Sequence, residues 1–347
     1  MTVNSIIPTV TSKPKIDVHM HLAGNGCCAS GCWVSPSFSR RHTFQLLKFL
    51  YRITEEQMRT TVDWDWAARI ASTLRDSSLD YGVVLGFDGV YSHSDGKFDE
   101  SRSQLIVPPE WVFKLCREHP NLLPGPSINP YREDALERLN YCIENGAVLI
   151  KWLPAAQAID PADRKIREFY RMCAAARLPL LIHMGGERTF KTVTAAYNNV
   201  ERLREPLEAG VVVICAHTAT RIIGTREKDQ IPQLKVLLKT YPHLWVDNSG
   251  LCNPSRFSHV PVLAKDPEIT SRTLYGSDYP VPANAVYFTT KLGPRRVLAL
   301  ERIANVVDRD IEIKRTFGYP EETLMRANDV LANLSLWIKG DEFSAGN

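Results

Sequence analysis

Eight short apolar runs, each ending in polar residues, recur along the chain: KIDVHMH, YGVVLGFD, LLPGPSIN, AVLIKW, LPLLIHM, GVVVICAH, LWVDNS and RTLYGSD. Helical patterns separate most of them, among them DWAARIASTLRDSS, PEWVFKLCREH, REDALERLNYCIENG, ADRKIREFYRMCAAAR and IPQLKVLLKTY. Near-continuous apolar runs are what parallel strands covered on both faces look like. Eight of them alternating with helices predict an α/β fold of the (β/α)8 TIM-barrel type. An open doubly wound sheet is the alternative, but LAGNGCCASG after the first strand leads into no obvious helix and carries no phosphate-binding glycine turn.

The 347 residues exceed the needs of a bare barrel, which takes about 250. The surplus falls in a long connection after strand 1 (22–62) and in a Pro- and Ser-containing segment, 249–270, before strand 8. After the last strand, RRVLALERIANVVDRDIEIKRTF and PEETLMRANDVLANL read as two helices broken at Gly318 and Pro320. No repeat or linker marks a second domain, so one domain is expected over 15–335, with an N-terminal extension at 1–14 and a tail at 336–347. A balance of 42 basic against 39 acidic side chains argues for neither nucleic acid nor an anionic membrane as partner. SIIPTV is too short for a signal peptide, and no apolar run is long enough to span a bilayer. Eight cysteines without regular spacing suit reduced thiols in a cytoplasmic protein.

Polar groups at the carboxyl ends of barrel strands are where chemistry is expected, because the loops there surround the mouth. Those ends carry His19, His21, Lys151, His183, His217 and Asp278. The i, i+2 spacing of His19 and His21 puts both imidazoles on one side of a strand. A lone H-x-H pair is a weak motif. Joined by histidines on strands 5 and 6 and an acid after strand 8, it becomes a candidate divalent-cation site. The loop that follows holds Cys27, Cys28 and Cys32, which lack a fourth ligand nearby; free thiols are expected there.

DVHMHLAG, VLIKWLP, LPLLIHMGGE, ICAHTATR, LYGSDYP and RANDVLANL together resemble the amidohydrolase superfamily, in particular its amidohydrolase-related branch, over residues 15–334. The resemblance implies a (β/α)8 barrel with a divalent metal, usually zinc and sometimes manganese or iron. It places His19 and His21 as strand 1 ligands, His183 as the strand 5 ligand and Asp278 as the strand 8 carboxylate. His217 matches a histidine that either binds a second metal or serves in catalysis. Lys151 is carbamylated between two metals in binuclear relatives; standing back from one ion, it would instead bind an anionic substrate. One ion is the favoured arrangement. Relatives of this branch are often homo-oligomers.

These residue types fit metal-activated water, with Asp278 taking its proton. The leading expectation is a metal-dependent hydrolase acting on an amide, ester, lactone or related carbon centre of a small molecule. A nonoxidative decarboxylase or carbon–carbon lyase acting on an aromatic or dienoic acid is the alternative, and a non-catalytic metal-binding barrel the third. Cations in the expected mouth loops, Arg188, Lys191, Arg221 and Arg256, suggest a carboxylated substrate. Trp33, Phe38 and Trp152 are candidates to wall a pocket for a ring.

Overall fold

The computed structural model describes residues 13–338. The extension at 1–14 and the tail at 336–347 therefore lie mostly outside the described residues. All eight apolar runs form strands: β1 (Ile16–His21), β2 (Tyr81–Leu85), β3 (Leu122–Gly125), β4 (Ile150–Trp152), β5 (Leu180–His183), β6 (Val213–Ala216), β7 (Leu244–Asp247) and β8 (Thr273–Leu274). Every neighbouring pair is parallel, in one sheet β1–β2–β3 and a second sheet β4 to β8 in order. Backbone hydrogen bonds carry the ladder across both gaps. Val148 and Lys151 donate to Pro124 and Pro126 (2.9 and 2.8 Å), while Val18 and His21 donate to Tyr275 and Tyr279 (3.0 and 2.7 Å). The arrangement is the expected α/β barrel.

Helices return the chain after the strands: Val62–Arg75, Pro109–Glu118, Ala135–Glu144, Arg167–Ala175, Arg204–Glu208, Ile231–Thr240 and Pro267–Thr270 after β1 to β7. Thr289–Glu301 and Val306–Phe317 follow β8. Strand periodicity sorts the side chains. Val18, Leu85, Leu123, Leu149, Leu181 and Ile214 form one buried cluster inside the barrel, each contributing roughly 1.5–3 kcal/mol through burial. The alternate residues, such as Ile150, Leu180, Ile182 and Val213, pack outward against the helices. No helix among the described residues is long and apolar enough to cross a membrane.

Trp152 belongs to that outward set, which corrects its assignment to a substrate pocket. Its indole donates to the Ile128 carbonyl (2.7 Å) and packs on Phe169 and Tyr170, with ring centroids 5.3 and 5.9 Å away. Lys151 points inward, so its sequence neighbour must point out.

Strand β1 breaks the alternation usefully. Its pairing with β2 shifts register between Asp17 and Met20. The irregularity lets Val18 join the interior cluster while His19, its immediate neighbour, also serves the barrel interior above it. Re-aiming a side chain next to a functional site is a known use of such bulges.

The long connection after β1 folds into three short helices, Pro36–Ser39, His42–Leu50 and Glu55–Thr60. Ser35 caps the first, and Thr54 with Gln57 forms a capping box on the third. The C-terminal segment departs from expectation. The first of its two predicted helices is split at Asn305, whose side chain accepts from the Val307 and Asp308 amides to start a new one. PEETLMRANDVLANL forms only 3₁₀ turns (Glu321–Leu324, Arg326–Asp329, Leu334–Leu336). Asn328 bonds the carbonyls of Pro14 and Met325, and Asn333 takes a left-handed backbone; both compete with helix formation.

Candidate active site

The carboxyl ends of the strands converge on one cluster. His19 and His21 close β1, with ring centroids 4.9 Å apart. Lys151 lies in β4, His183 ends β5, and His217 follows β6 with φ +54°. Asp278 lies beyond β8 with φ +68°, an uncommon conformation that Asp tolerates better than most residues. The structure brings all six together. The Asp278 carboxylate stands 3.0 Å from His21 Nε2 and 3.5 Å from His19 Nε2. Gly250, at φ +63°, leaves room for it: a Cβ there would lie 2.5 Å from Asp278 Oδ2. Gly250→Ala should therefore displace that carboxylate and cost activity, and should also lower stability because alanine is strained at a positive φ, as rate measurements beside thermal melts would show.

Two carboxylates went unnoticed in the sequence. Asp247 ends β7 and is fully buried. Its Oδ2 faces His19 Nδ1 at 2.8 Å, while Oδ1 accepts from the His217 amide (2.7 Å), the Ser249 amide (3.0 Å) and the Ser249 hydroxyl (2.5 Å). Glu187 lies 3.4 Å from His183 Nε2. Asp247 sits in the strand run LWVDNS, where terminal position is the available signal, whereas Glu187 lies beyond the strand run LPLLIHM, at the end of the motif LPLLIHMGGE.

Partners fix the imidazole tautomers. His19 donates from Nδ1 to Asp247, leaving its Nε2 lone pair to accept from Lys151 Nζ at 3.0 Å. His217 donates from Nδ1 to the Ser249 carbonyl (2.9 Å), and His183 donates from Nε2 to the Gly186 carbonyl (3.0 Å). What remains is His183 Nδ1 facing His217 Nε2 at 3.2 Å. Burial, first among the causes, drives the pKa of His19, His183 and His217 well down. Two neutral rings thus present lone pairs to each other, an arrangement that a cation relieves. Burial also brings Lys151 down to about 8.

The donor set consequently fits a divalent ion: imidazole nitrogens of His21, His183 and His217 with the Asp278 carboxylate, joined by His19 Nε2 where the ion displaces Lys151 Nζ from that lone pair. His19, His21 and Asp278 place their ligand atoms within 4.8 Å of one another, as do His19, His217 and Asp247. The second group offers less, because both Asp247 oxygens are already engaged by donors. Asp247 instead orients His19, and Asp247→Asn should weaken metal affinity by roughly 10–100-fold in a chelator competition. The cysteine loop forms no such group among the described residues. Cys27 and Cys28 touch at 3.2 Å between sulfurs, all eight cysteines are free thiols, and Asp63 organises the turn by accepting from the Asn25 and Gly26 amides.

A cavity of about 380 Å³ opens onto the cluster, with His21, His183, His217 and Asp278 in its floor. Lys151 is 1% exposed and does not line it, so the expectation that this ammonium binds an anionic substrate is not met. Arg221, Lys191 and Trp33 also lie outside the lining. Arg188 lines it from an exposed position. Arg256 lines it too but is buried, with its guanidinium donating to Thr220 and the Gly186 carbonyl. Phe38 is part of the wall.

The family model described as Amidohydrolase matches residues 16–303. The chain belongs to the amidohydrolase family. Members of this family are metal-dependent enzymes, and the His/Asp groups above are this member's candidate metal sites. No curated protein matches the sequence. Among solved structures, the uncharacterized TIM-barrel protein Bb4693 from Bordetella bronchiseptica is similar at 14% identity and a TM-score of 0.54, covering 87% of this chain and 98% of that one. A candidate 2-pyrone-4,6-dicarboxylic acid hydrolase from Pseudomonas putida is similar at 12% identity and a TM-score of 0.51, covering 93% and 96%. The 2,6-dihydroxybenzoate decarboxylase from Rhizobium follows at 10% identity and 0.48, covering 88% and 99%. At these identities the likeness is one of fold.

Proposed function

We propose that this amidohydrolase is a hydrolase of small molecules, acting at an ester, lactone, amide or related carbon centre. One observation carries the reading: the carboxylate of Asp278 and the rings of His21, His183 and His217 face the same cavity floor. A divalent ion held by this set, zinc first with manganese or iron as alternatives, would polarise a carbonyl oxygen and make bound water more acidic. Full engagement of Asp247 by hydrogen bonds favours one ion over two.

The chain's own groups divide the remaining work. Asp278 is placed to accept a proton from water at its carboxylate and pass it to the departing atom. Asp247 holds His19 in one tautomer, and Lys151 Nζ caps its Nε2 until an ion takes that lone pair. His217, held by the Ser249 carbonyl, presents Nε2 toward the cavity side.

Metal analysis of the purified chain, followed by chelation and restoration with zinc, manganese or iron, tests the site. Turnover in labelled water tests the reaction. Solvent oxygen in the product supports hydrolysis, whereas carbon dioxide release without it would transfer the chain to the decarboxylase class.

A further inference from the structure

Gly276 lies between β8 and Asp278, and neither its N–H nor its carbonyl is bonded to another backbone group among the described residues. Side chains hold both instead. The amide donates to Asn248 Oδ1 (3.2 Å), and the carbonyl accepts from Lys314 Nζ (2.8 Å). The glycine also rests directly on the cluster: a Cβ there would lie 2.9 Å from the Cβ atoms of His19 and Ser249. Two residues later the Asp278 amide bonds the His19 carbonyl. The segment that carries Asp278 is thus seated on the site and tied at one peptide to two side chains.

Lys314 reaches Gly276 from the helix Val306–Phe317, which contributes nothing to the cavity lining. It is 2% exposed, and its ion-pair partner Asp310, one turn earlier, is 1% exposed. Tyr275 donates to the same Asp310 oxygen (3.0 Å), and its ring centroid lies 4.8 Å from the ammonium. The other Asp310 oxygen has no partner. A pair buried this completely has given up its hydration, and apolar residues of similar volume commonly stabilise a fold as well or better. Stability alone therefore gives no reason for the pair. An apolar pair, however, could not donate to the Gly276 carbonyl.

We propose that Lys314, held by Asp310, and Asn248 are positioning residues for the metal site: they clamp the Gly276 peptide and so fix where the Asp278 carboxylate meets His19 and His21. Neither side chain touches the reacting atoms; both act through Asp278. The inference rests on the divalent-ion site of the proposed function and is independent of whether the reaction is a hydrolysis.

The test uses the full chain carrying Asp310→Asn together with Lys314→Met. An amide at position 310 still accepts from Tyr275, and no buried charge is left alone. The melting temperature should fall by only a few degrees. Cobalt(II), whose visible absorption reports the geometry of its ligands, should bind about tenfold or more weakly than to the unaltered chain, with an altered spectrum. In the metal-free protein the Ser277 and Asp278 amides should exchange hydrogen about tenfold faster, while the amides of β5 and β6 keep their protection. A folded double variant with unchanged cobalt affinity, spectrum and exchange overturns the proposal. So does protection lost evenly over the whole barrel, the mark of a pair that serves stability alone. Should the double variant not fold, Asn248→Ala, which leaves the Gly276 amide without its acceptor, decides by the same readings. Failure of the unaltered chain to bind cobalt counts against the metal site only, because exchange in the metal-free protein still judges the clamp.

Discussion

Asp278→Asn should lower turnover by about 10²–10⁴-fold, the range removed with a general acid–base group, while the melting temperature moves by only a few degrees. The substitution is isosteric, and Asn tolerates the left-handed backbone that Asp278 adopts at φ +68°. The Asp278 amide keeps its bond to the His19 carbonyl (2.9 Å), so the loop has no reason to move. What changes is the group 3.0 Å from His21 Nε2: an amide cannot accept a proton from water and hand it on. Rates measured after metal restoration, beside circular dichroism melts, check both halves. Near-normal turnover would remove Asp278 from its role.

Trp152→Ala should do the reverse. The residue is fully buried on the outer face of β4, and truncating such a side chain costs about 3–5 kcal/mol through lost burial and the cavity left behind. At roughly 2–4 °C per kcal/mol for a large domain, the melting temperature should fall by at least several degrees. The folded fraction should keep its KM, because Trp152 contributes nothing to the cavity lining. A raised KM with an unchanged melting temperature would instead put the indole back in a substrate pocket.

Trp152 also shows where reading the chain succeeds and where it stops. The strands are legible because burial on both faces forces β-branched runs, and the histidines because imidazoles at strand ends have few structural uses. Adjacency misleads: Lys151 and Trp152 are neighbours in sequence and opposite in space, which strict alternation along AVLIKW would have revealed. Asp247 was hidden for another reason. LWVDNS ends in three polar residues, and only His19, 228 positions away, singles out the first of them. The helices over the mouth, as short as four residues, are too brief for a period of 3.6 to register. The closing RANDVLANL looks helical by composition, yet Asn328 bonds back to the Met325 carbonyl, while Asn333, with a left-handed backbone, reaches across the fold to the Ala147 carbonyl, and the segment forms tight turns.

The join between β1 and the segment after β8 has a consequence for how such a protein matures. His21 and Tyr279, and His19 and Asp278, are linked there by backbone bonds, and the same residues furnish the cluster's first and last side chains. Completion of the ring and completion of the reactive centre are thus one event. A nascent chain stalled before residue 278 holds every imidazole of the cluster but lacks the acid and the clasp that aligns it. Such a truncated chain should be inert however much of its sheet has formed.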